Sequence, residues 1–476
     1  MSAELCYLGA TEALELFRAR KLSPVELIDA VIARAGQVEP KVNALCFRYF
    51  DEAREAARKA EAAYLQQTAR PLEGLPLAVK DESSIAGRIT TNGSLLLKDH
   101  VAQGTDVCIR RLLNAGAIVH ARTTTPELSC AFVTWSKLWG ITRNPWNPDI
   151  TPGGSTGGGA AALASGTATL ATGTDIAGSV RMPAAVCGIA GYRPPYGRVT
   201  QTPPWNLDTY SHDGPMARSV ADCALMQNAI SGPHGSDIAS LWPKIRIPPE
   251  FENIRHWRIA YSPGLGIMEV DDDIRRCLNE AVERFRGIGA NVEEVAPAWD
   301  RRKCEKTAMI HLSAIMGAYF HKHYGGPEQR KQLTTYVQHF LDVSGDVTPD
   351  NLLAELEYTN VMQASLGELF RTYRVLIAPT VATSRIAADF DFSRDEVVIA
   401  GKKVNPFLGW TLTWPFNTLS RCPVLNIPCG VADNGVPVGM QIVGRPYDDI
   451  SVLQAGAAFE AAMGGPFIHK GNCPLS

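Results

Sequence analysis

The sequence predicts an α/β protein, and three observations carry that prediction. The chain is 476 residues long with 45% apolar residues, enough for a substantial core. Apolar residues in the first 70 positions fall at helical spacing, but from Gly74 the period changes to a short unbroken run, Leu75 to Val79, that reads as a buried strand. A helix at about Asp106 to Ala115 and a strand at Ala117 to Ala121 then continue an alternation of helix and strand.

Taken in order, the chain opens with a helix over Thr11 to Arg20. Ser23-Pro24-Val25-Glu26 places a capping box and a first-turn proline at the start of a second. A third helix runs from about Phe50 to Gln67, with Ala53, Ala56, Ala57 and Ala60 on its packed face and Glu55 and Lys59 one turn apart on the wet side. These predict a helical layer, residues 1–70, over an α/β body, residues 71–476. The strand from Leu75 ends at Lys80 and Asp81, which places Lys80 to point into a cleft, although on charge statistics alone an ordinary surface lysine is the commoner reading. Asp213 to Met216 reads as a turn into a helix near Val220 to Ile230. Strands are expected at Arg258 to Tyr261, Ala290 to Val295 and Val375 to Ala378. Between them Asp271 to Arg286 is amphipathic, with Ile274, Cys277, Leu278, Ala281, Val282 and Phe285 on one face. A variable helical lobe is expected at about 300–370; its His321 and His323 lack a third ligand at metal-site spacing.

Charge and cysteine usage narrow the function classes. Lys and Arg (46) nearly balance Asp and Glu (49), for a net charge of -3 and no basic stripe, so neither nucleic acid nor an anionic membrane is an expected partner. The longest apolar tract, Ala160 to Ala171, is too short to cross a bilayer. Glu4 interrupts the start of the chain and no secretory pattern is visible, so a cytoplasmic location is expected. Eleven scattered cysteines without a C-x-x-C pair argue against a disulfide framework or a zinc ribbon, and Cys187 reads as a small core residue.

The unusual chemistry is concentrated between Thr151 and Val199. Ser155, Thr156 and Ser179 are glycine-flanked hydroxyls in a small, apolar segment, where backbone can approach a ligand closely and a serine nucleophile can be exposed. Glycine-serine runs are more often flexible loops. A nucleotide cradle is disfavoured, because GGSTGGG lacks the lysine of a phosphate loop and RNPWNPDITP before it is not a strand. Asp175 and Arg181 flank Ser179 and read as a buried ion pair that fixes the turn.

TPGGSTGGGAAALASG followed by GTDIAGSVRMPAAVCGIAGYRPPYGRV resembles the signature region of the amidase signature family. GLPLAVKDESSIAG, ARTTTPEL, GITRNPWNP and PVLNIPCGVADNGVPVGMQIVGRPYDD resemble its other segments, so the likeness runs from about Leu72 to the C-terminus, weakly from about Ile230 to Trp410. The resemblance implies a central mixed β-sheet covered on both faces by α-helices. It also implies a relay in which Ser179 is the nucleophile, Ser155 the bridging serine after a cis Gly154-Ser155 bond, and Lys80 the terminal base. A serine alcohol needs such a base, and no histidine lies in the matched glycine-rich segments. Lys80 must then be neutral, with burial depressing its pKa. Backbone N–H groups of Ile176, Ala177, Gly178 and Ser179 are the expected oxyanion donors. Thr156 stands where many family members have serine and Ala177 where many have glycine; Thr156 keeps a supporting hydroxyl.

The implied function is an amidohydrolase that works through an acyl-enzyme on a small-molecule amide, and also on an ester or carbamate, with no cofactor and no metal. Trp205, Trp410 and Trp414 are candidate walls of an aryl pocket, although a core position is the commoner case for Trp410 and Trp414. Two alternatives remain: the glutaminase subunit of a tRNA-dependent amidotransferase complex, and a catalytically silent scaffold. The chain is expected as a monomer or homodimer.

Overall fold

In the computed structural model, which describes residues 5–469 and 471–475, the first layer is built as its caps dictate. Helix α1 spans Ala10–Arg18 and α2 spans Pro24–Val42. Ser23 Oγ accepts from Val25 N–H, and Glu26 accepts from Ser23 N–H at 2.8 Å, closing the capping box ahead of Pro24. A strand that the helical reading missed follows, β1 at Leu45–Arg48, and then α3 at Phe50–Leu65. Only four residues long, β1 pairs antiparallel with β3 (Ile118–Thr123), so the first 70 residues supply an edge of the sheet as well as helices. Its pairing partner lies some 75 residues away in the chain, which no local pattern reports.

The remaining elements alternate. In chain order they are β2 (Pro76–Lys80), α4 (Val107–Asn114), β3, the ribbon β4 (Trp135–Ser136) and β5 (Gly140–Ile141), α5 (Gly157–Ala164), β6 (Leu170–Thr174), α6 (Arg181–Cys187), β7 (Ala190–Arg193), β8 (Asp213–Ala217), α7 (Val220–Ile230), β9 (Arg258–Tyr261), α8 (Asp272–Gly287) and β10 (Asn291–Glu294). A helical lobe follows: α9 (Arg301–Leu312) runs through a π-turn at Ser313–Gly317 into α10 (Ala318–Tyr324), then α11 (Pro327–Gln332), α12 (Thr335–Val343) and α13 (Pro349–Thr372). The chain closes with β11 (Val375–Pro379), the ribbon β12 (Val397–Ile399) and β13 (Lys402–Val404), α14 (Pro415–Thr418), β14 (Val424–Val431), β15 (Pro437–Gly444) and α15 (Asp449–Ala462).

Eleven strands form one mixed sheet in the order β1-β3-β2-β6-β8-β7-β14-β15-β11-β9-β10, flanked by helices. Strands β3, β2 and β6 are parallel, β6 through β11 alternate antiparallel, and β11, β9 and β10 are parallel again. Asp213 to Met216, read above as a turn, is strand β8. Gly214 and Pro215 carry the local turn signal, yet β8 is paired on both sides, to β6 and β7. An added Cβ at Gly214 would stand 2.2 Å from Tyr192 O, so glycine serves close strand packing there rather than a turn. The sheet brings the C-terminal ends of parallel β2 and β6 side by side, at Lys80 and Thr174.

Candidate active site

Lys80 ends β2 and is wholly buried. Its Nζ lies 2.7 Å from Ser155 Oγ, 2.7 Å from Thr174 Oγ1 and 2.7 Å from Glu82 Oε2. Ser155 sits in the glycine-rich loop before α5, and the Gly154-Ser155 peptide bond is cis. The loop is held from three sides: Thr125 Oγ1 donates to Ser155 O at 3.0 Å, Thr134 Oγ1 to Gly153 O at 2.7 Å, and Thr156 N–H to Ser179 O at 3.3 Å. Thr156 Oγ1 reaches Thr174 O at 3.4 Å, a long contact that ties the loop to β6. Ser179 occupies the turn between β6 and α6, and its Oγ has no hydrogen-bond partner among the described residues. Thus the Lys80–Ser155 link is made, and Ser179 faces the same cavity as Ser155 with its hydroxyl unengaged.

Burial pushes the Lys80 ammonium below the usual lysine range, and the Glu82 carboxylate partly opposes that. Burial acts to raise the Glu82 carboxyl, but the charge of Lys80 and the hydroxyls of Thr174 and Ser129 outweigh it and hold it below its ordinary range.

The turn carrying Ser179 is braced by the ion pair that the sequence predicts. Arg181 Nε and Nη2 meet the Asp175 carboxylate at 3.0 and 2.9 Å, with both side chains fully buried. Remaining guanidinium protons go to Thr413 O, Gln441 Oε1 and Asn417 Oδ1, at 2.9, 2.8 and 2.6 Å, which leaves no part of the buried cation without an acceptor nearby. Gly178 has φ +130°, and a Cβ there would stand 1.9 Å from Thr413 Oγ1, so only glycine fits.

Asp175 also changes the oxyanion reading. Gly178 N–H, one of the four expected donors, is spent on Asp175 Oδ1 at 2.8 Å. A carboxylate three residues back closes an Asx-type turn there, which sequence order alone does not distinguish from a free amide. The N–H groups of Ile176, Ala177 and Ser179 have no protein acceptor among the described residues. Ala177 is not among the residues with positive φ, and its carbonyl accepts from Thr413 Oγ1 at 2.7 Å.

The cavity in front of the two serines has a volume of about 290 Å³. Glu82, Ser129, Ser155, Thr174, Ile176 and Ser179 form its polar floor; Leu97, Leu128, Trp205, Met316, Tyr319, Phe320 and Tyr324 wall it. Trp205 packs on Tyr319 with ring centroids 5.1 Å apart. A larger groove of about 650 Å³ lies between α3 and β3, but none of Lys80, Ser155 and Ser179 lines it. Trp410 and Trp414, candidates for a pocket wall or the core, are core residues, each 1% exposed. Their indole N–H groups donate to Pro406 O and Leu408 O, within their own loop, and Trp410 packs edge-on against Phe132. Full burial with an internal partner is the commoner fate of tryptophan, and two of the three candidates follow it.

A family model described as Amidase matches residues 26–453. This chain belongs to the amidase signature family. It is 31% identical to an acylamidase of Rhodococcus erythropolis over 463 residues, 96% of each chain. It is 30% identical to a Glutamyl-tRNA(Gln) amidotransferase subunit from Geobacter metallireducens, over 96% of this chain and 98% of that one. Among solved structures, a bacterial aryl acylamidase of the amidase signature family superposes with a TM-score of 0.89 at 28% identity, covering 96% of both chains. The protein is thus an amide-hydrolysing enzyme of that family.

Several site groups of this amidase were not picked out from sequence. Glu82 carries little signal: it lies two positions past the end of β2, in a turn whose side-chain directions the strand period does not report. Thr174 carries none, being one threonine among several. The wall from Met316 to Tyr324 lies where the family likeness is weak, and its side chains reach the cavity through the π-turn in the α9–α10 helix.

Proposed function

We propose that this amidase hydrolyses neutral aryl amides through an acyl-enzyme on Ser179, with Ser155 and Lys80 as the proton relay. The carrying observation is the 2.7 Å contact of a fully buried Lys80 Nζ with Ser155 Oγ, beside an unengaged Ser179 hydroxyl. Ser179 Oγ attacks the amide carbonyl as its proton passes to Ser155 and that of Ser155 to Lys80; the reverse path delivers a proton to the leaving amine. The free N–H groups of Ile176, Ala177 and Ser179 surround the place where the oxyanion develops, each contributing about 3 kcal/mol by analogy with known donors. Because the relay can protonate a poor leaving group, aryl esters and carbamates are accepted as well.

Support for an aryl substrate comes from Trp205, Tyr319, Phe320 and Tyr324 around the cavity. Among its described lining residues there is no lysine or arginine, and His100 is the one imidazole, which supports a neutral substrate. A second reading is favoured by the amidotransferase relatives: a glutaminase subunit that needs partner chains. Both are tested by incubating the purified chain with an anilide, an aryl ester and an aryl carbamate, and by intact-mass labelling with a fluorophosphonate. Turnover by the lone chain, with one adduct that disappears in Ser179→Ala, is expected. Labelling that survives Ser179→Ala overturns the assigned nucleophile, and turnover only of glutamine with partners present favours the second reading.

A further inference from the structure

The hydrogen-bond directions around Lys80 single out a residue outside the three-residue relay. A neutral lysine amine has two N–H bonds and one lone pair. Its nitrogen here has three neighbours at the same 2.7 Å: Ser155 Oγ, Thr174 Oγ1 and Glu82 Oε2. An ionised Glu82 only accepts, and it takes the Thr174 hydroxyl proton at 2.6 Å; Ser129 Oγ, 3.1 Å away, has one proton to share between Glu82 and Asn92 Oδ1 at 3.0 Å. Thr174 has one hydroxyl proton, now committed, so it meets Lys80 as an acceptor. Both amine protons are thereby assigned, to Thr174 and Glu82, and the lone pair is left facing Ser155.

We propose that Glu82 is a positioning residue of this relay: its carboxylate aims the lone pair of neutral Lys80 at Ser155 and stabilises the ammonium formed when Ser179 attacks. The inference rests on the reading of Lys80 as terminal base. In the attack step the Ser179 Oγ–H bond breaks as the Oγ–carbonyl carbon bond forms. The proton goes to Ser155 Oγ, whose own proton moves to Lys80 Nζ, and Glu82 stays a carboxylate throughout. Its part is that of the aspartate behind a catalytic histidine, which orients the base and stabilises its cation without taking the proton.

Other charges face the pair from the neighbouring strands and helix. Asp175, just past β6, and Asp213, at the start of β8, act on Lys80; Asp106, before α4, acts with Glu82 on Asp213; Arg122, on β3, pairs with Asp81 at 3.6 Å; and His100 lies on the cavity wall. Of the carboxylates, only that of Glu82 is within hydrogen-bond reach of Nζ among the described residues. It is also the one whose removal changes the base directly. Without its charge the ammonium is less favoured, Lys80 loses its proton at lower pH, and the acid limb of kcat/KM moves down. The ammonium formed during attack is less favoured too, so the alkaline plateau falls.

The test is the pH profile of kcat/KM on an anilide for wild type, Glu82→Gln, Glu82→Asp and Lys80→Ala. In Glu82→Gln the acid-limb midpoint is expected to fall by about one pH unit or more, with a plateau at least about tenfold lower. Glu82→Asp, which keeps the charge on a shorter stem, should lie between Glu82→Gln and wild type. A lowered plateau with an unmoved midpoint overturns the proposal, since a purely structural role gives that result. If Glu82→Gln does not fold by circular dichroism, the Glu82→Asp midpoint decides in the same way. Lys80→Ala separates the two levels: an inactive Lys80→Ala with an unmoved Glu82→Gln midpoint defeats the role of Glu82 alone. Wild-type turnover in Lys80→Ala defeats the base assignment, and the role of Glu82 with it.

Discussion

The glycine-rich segment around Ser155 and Ser179 and the helical lobe from α9 to α13 meet at one cavity but are built on opposite principles. In the first, almost every side chain from Thr151 to Val199 is buried, Asp175 pairs with Arg181 and Arg198 with Asp449, and a single methyl at Gly178 has no room. In the second, helices present aromatic side chains to the cavity and expose others, Leu353 and Leu356 among them, to solvent. The difference separates tasks. Reacting groups need positions fixed to a fraction of an ångström, which a dense network of buried hydrogen bonds supplies. Substrate fit needs only shape and apolar surface, which a helix face can vary without breaking any of those bonds.

If this division is right, damage on the rigid side should be severe. Ser179→Ala removes the proposed nucleophile and is expected to lower kcat on an anilide at least about a thousandfold while the fold is kept. Residual turnover within tenfold of wild type would contradict it. Arg181→Leu attacks the brace instead: it strips Asp175 of its partner, whose carboxyl Arg181 now holds well below the ordinary range against the opposing effect of burial. Breaking a buried pair from one side costs about 3–5 kcal/mol, read as a lower midpoint in denaturant unfolding. A loss below about 1 kcal/mol would mean that the other acceptors, not the pair, hold the turn.

One residue couples the two regions and offers a pH handle on their joint. His311, in α9, places Nε2 2.8 Å from Asp208 Oδ1 and Nδ1 3.7 Å from Glu355 Oε1, and stacks on Tyr210 at 3.5 Å. Tyr210 O in turn accepts from Asn417, which also holds Asp175. Burial works against the imidazolium, but the two carboxylates prevail and raise its pKa to about 9. A pKa raised above its unfolded value of about 6.5 stabilises the fold fully below that value, and the gain is lost as pH rises through about 9. The contribution is on the order of 3 kcal/mol. His311→Gln should therefore be markedly less stable than wild type at pH 6, with the gap narrowing from about pH 6.5 and nearly closed above about pH 9. A gap independent of pH would show that the histidine is neutral.

How much of this was legible in the sequence follows the same division. Lys80, Ser155 and Ser179 lie in segments whose glycine spacing and order are unusual enough to be read, and most helices and strands followed from apolar period and capping. β1 and β8 were missed or misread because their pairing is with distant chain. Gly178 was read as a free donor because the carboxylate that takes its N–H is visible only in three dimensions. Trp410 and Trp414 stayed open between wall and core because composition does not say which side of a loop a tryptophan turns to, whereas Trp205 does reach the cavity. The aromatic wall at Tyr319 and Phe320 lies in poorly matched chain, where helical period gives the element but not the cavity it faces.

The smallest expected effect is also the one that sharpens the contrast most. Tyr319 packs on Trp205 and lines the cavity with no hydrogen bond to Lys80, Ser155, Ser179 or Glu82 among the described residues, so truncating it removes apolar surface and leaves the hydrogen bonds of the floor intact. Tyr319→Ala should raise KM for an anilide by about five- to tenfold, equivalent to roughly 1 kcal/mol of lost aromatic contact, with kcat changed less. A short aliphatic amide, which does not reach that wall, should show little change in either constant. Selective loss on the aryl substrate means that the lobe reads the substrate and the glycine-rich segment performs the reaction. Equal loss of kcat on both substrates would mean that the lobe helps to hold the reacting groups themselves, and the separation of tasks would fail at its least protected point.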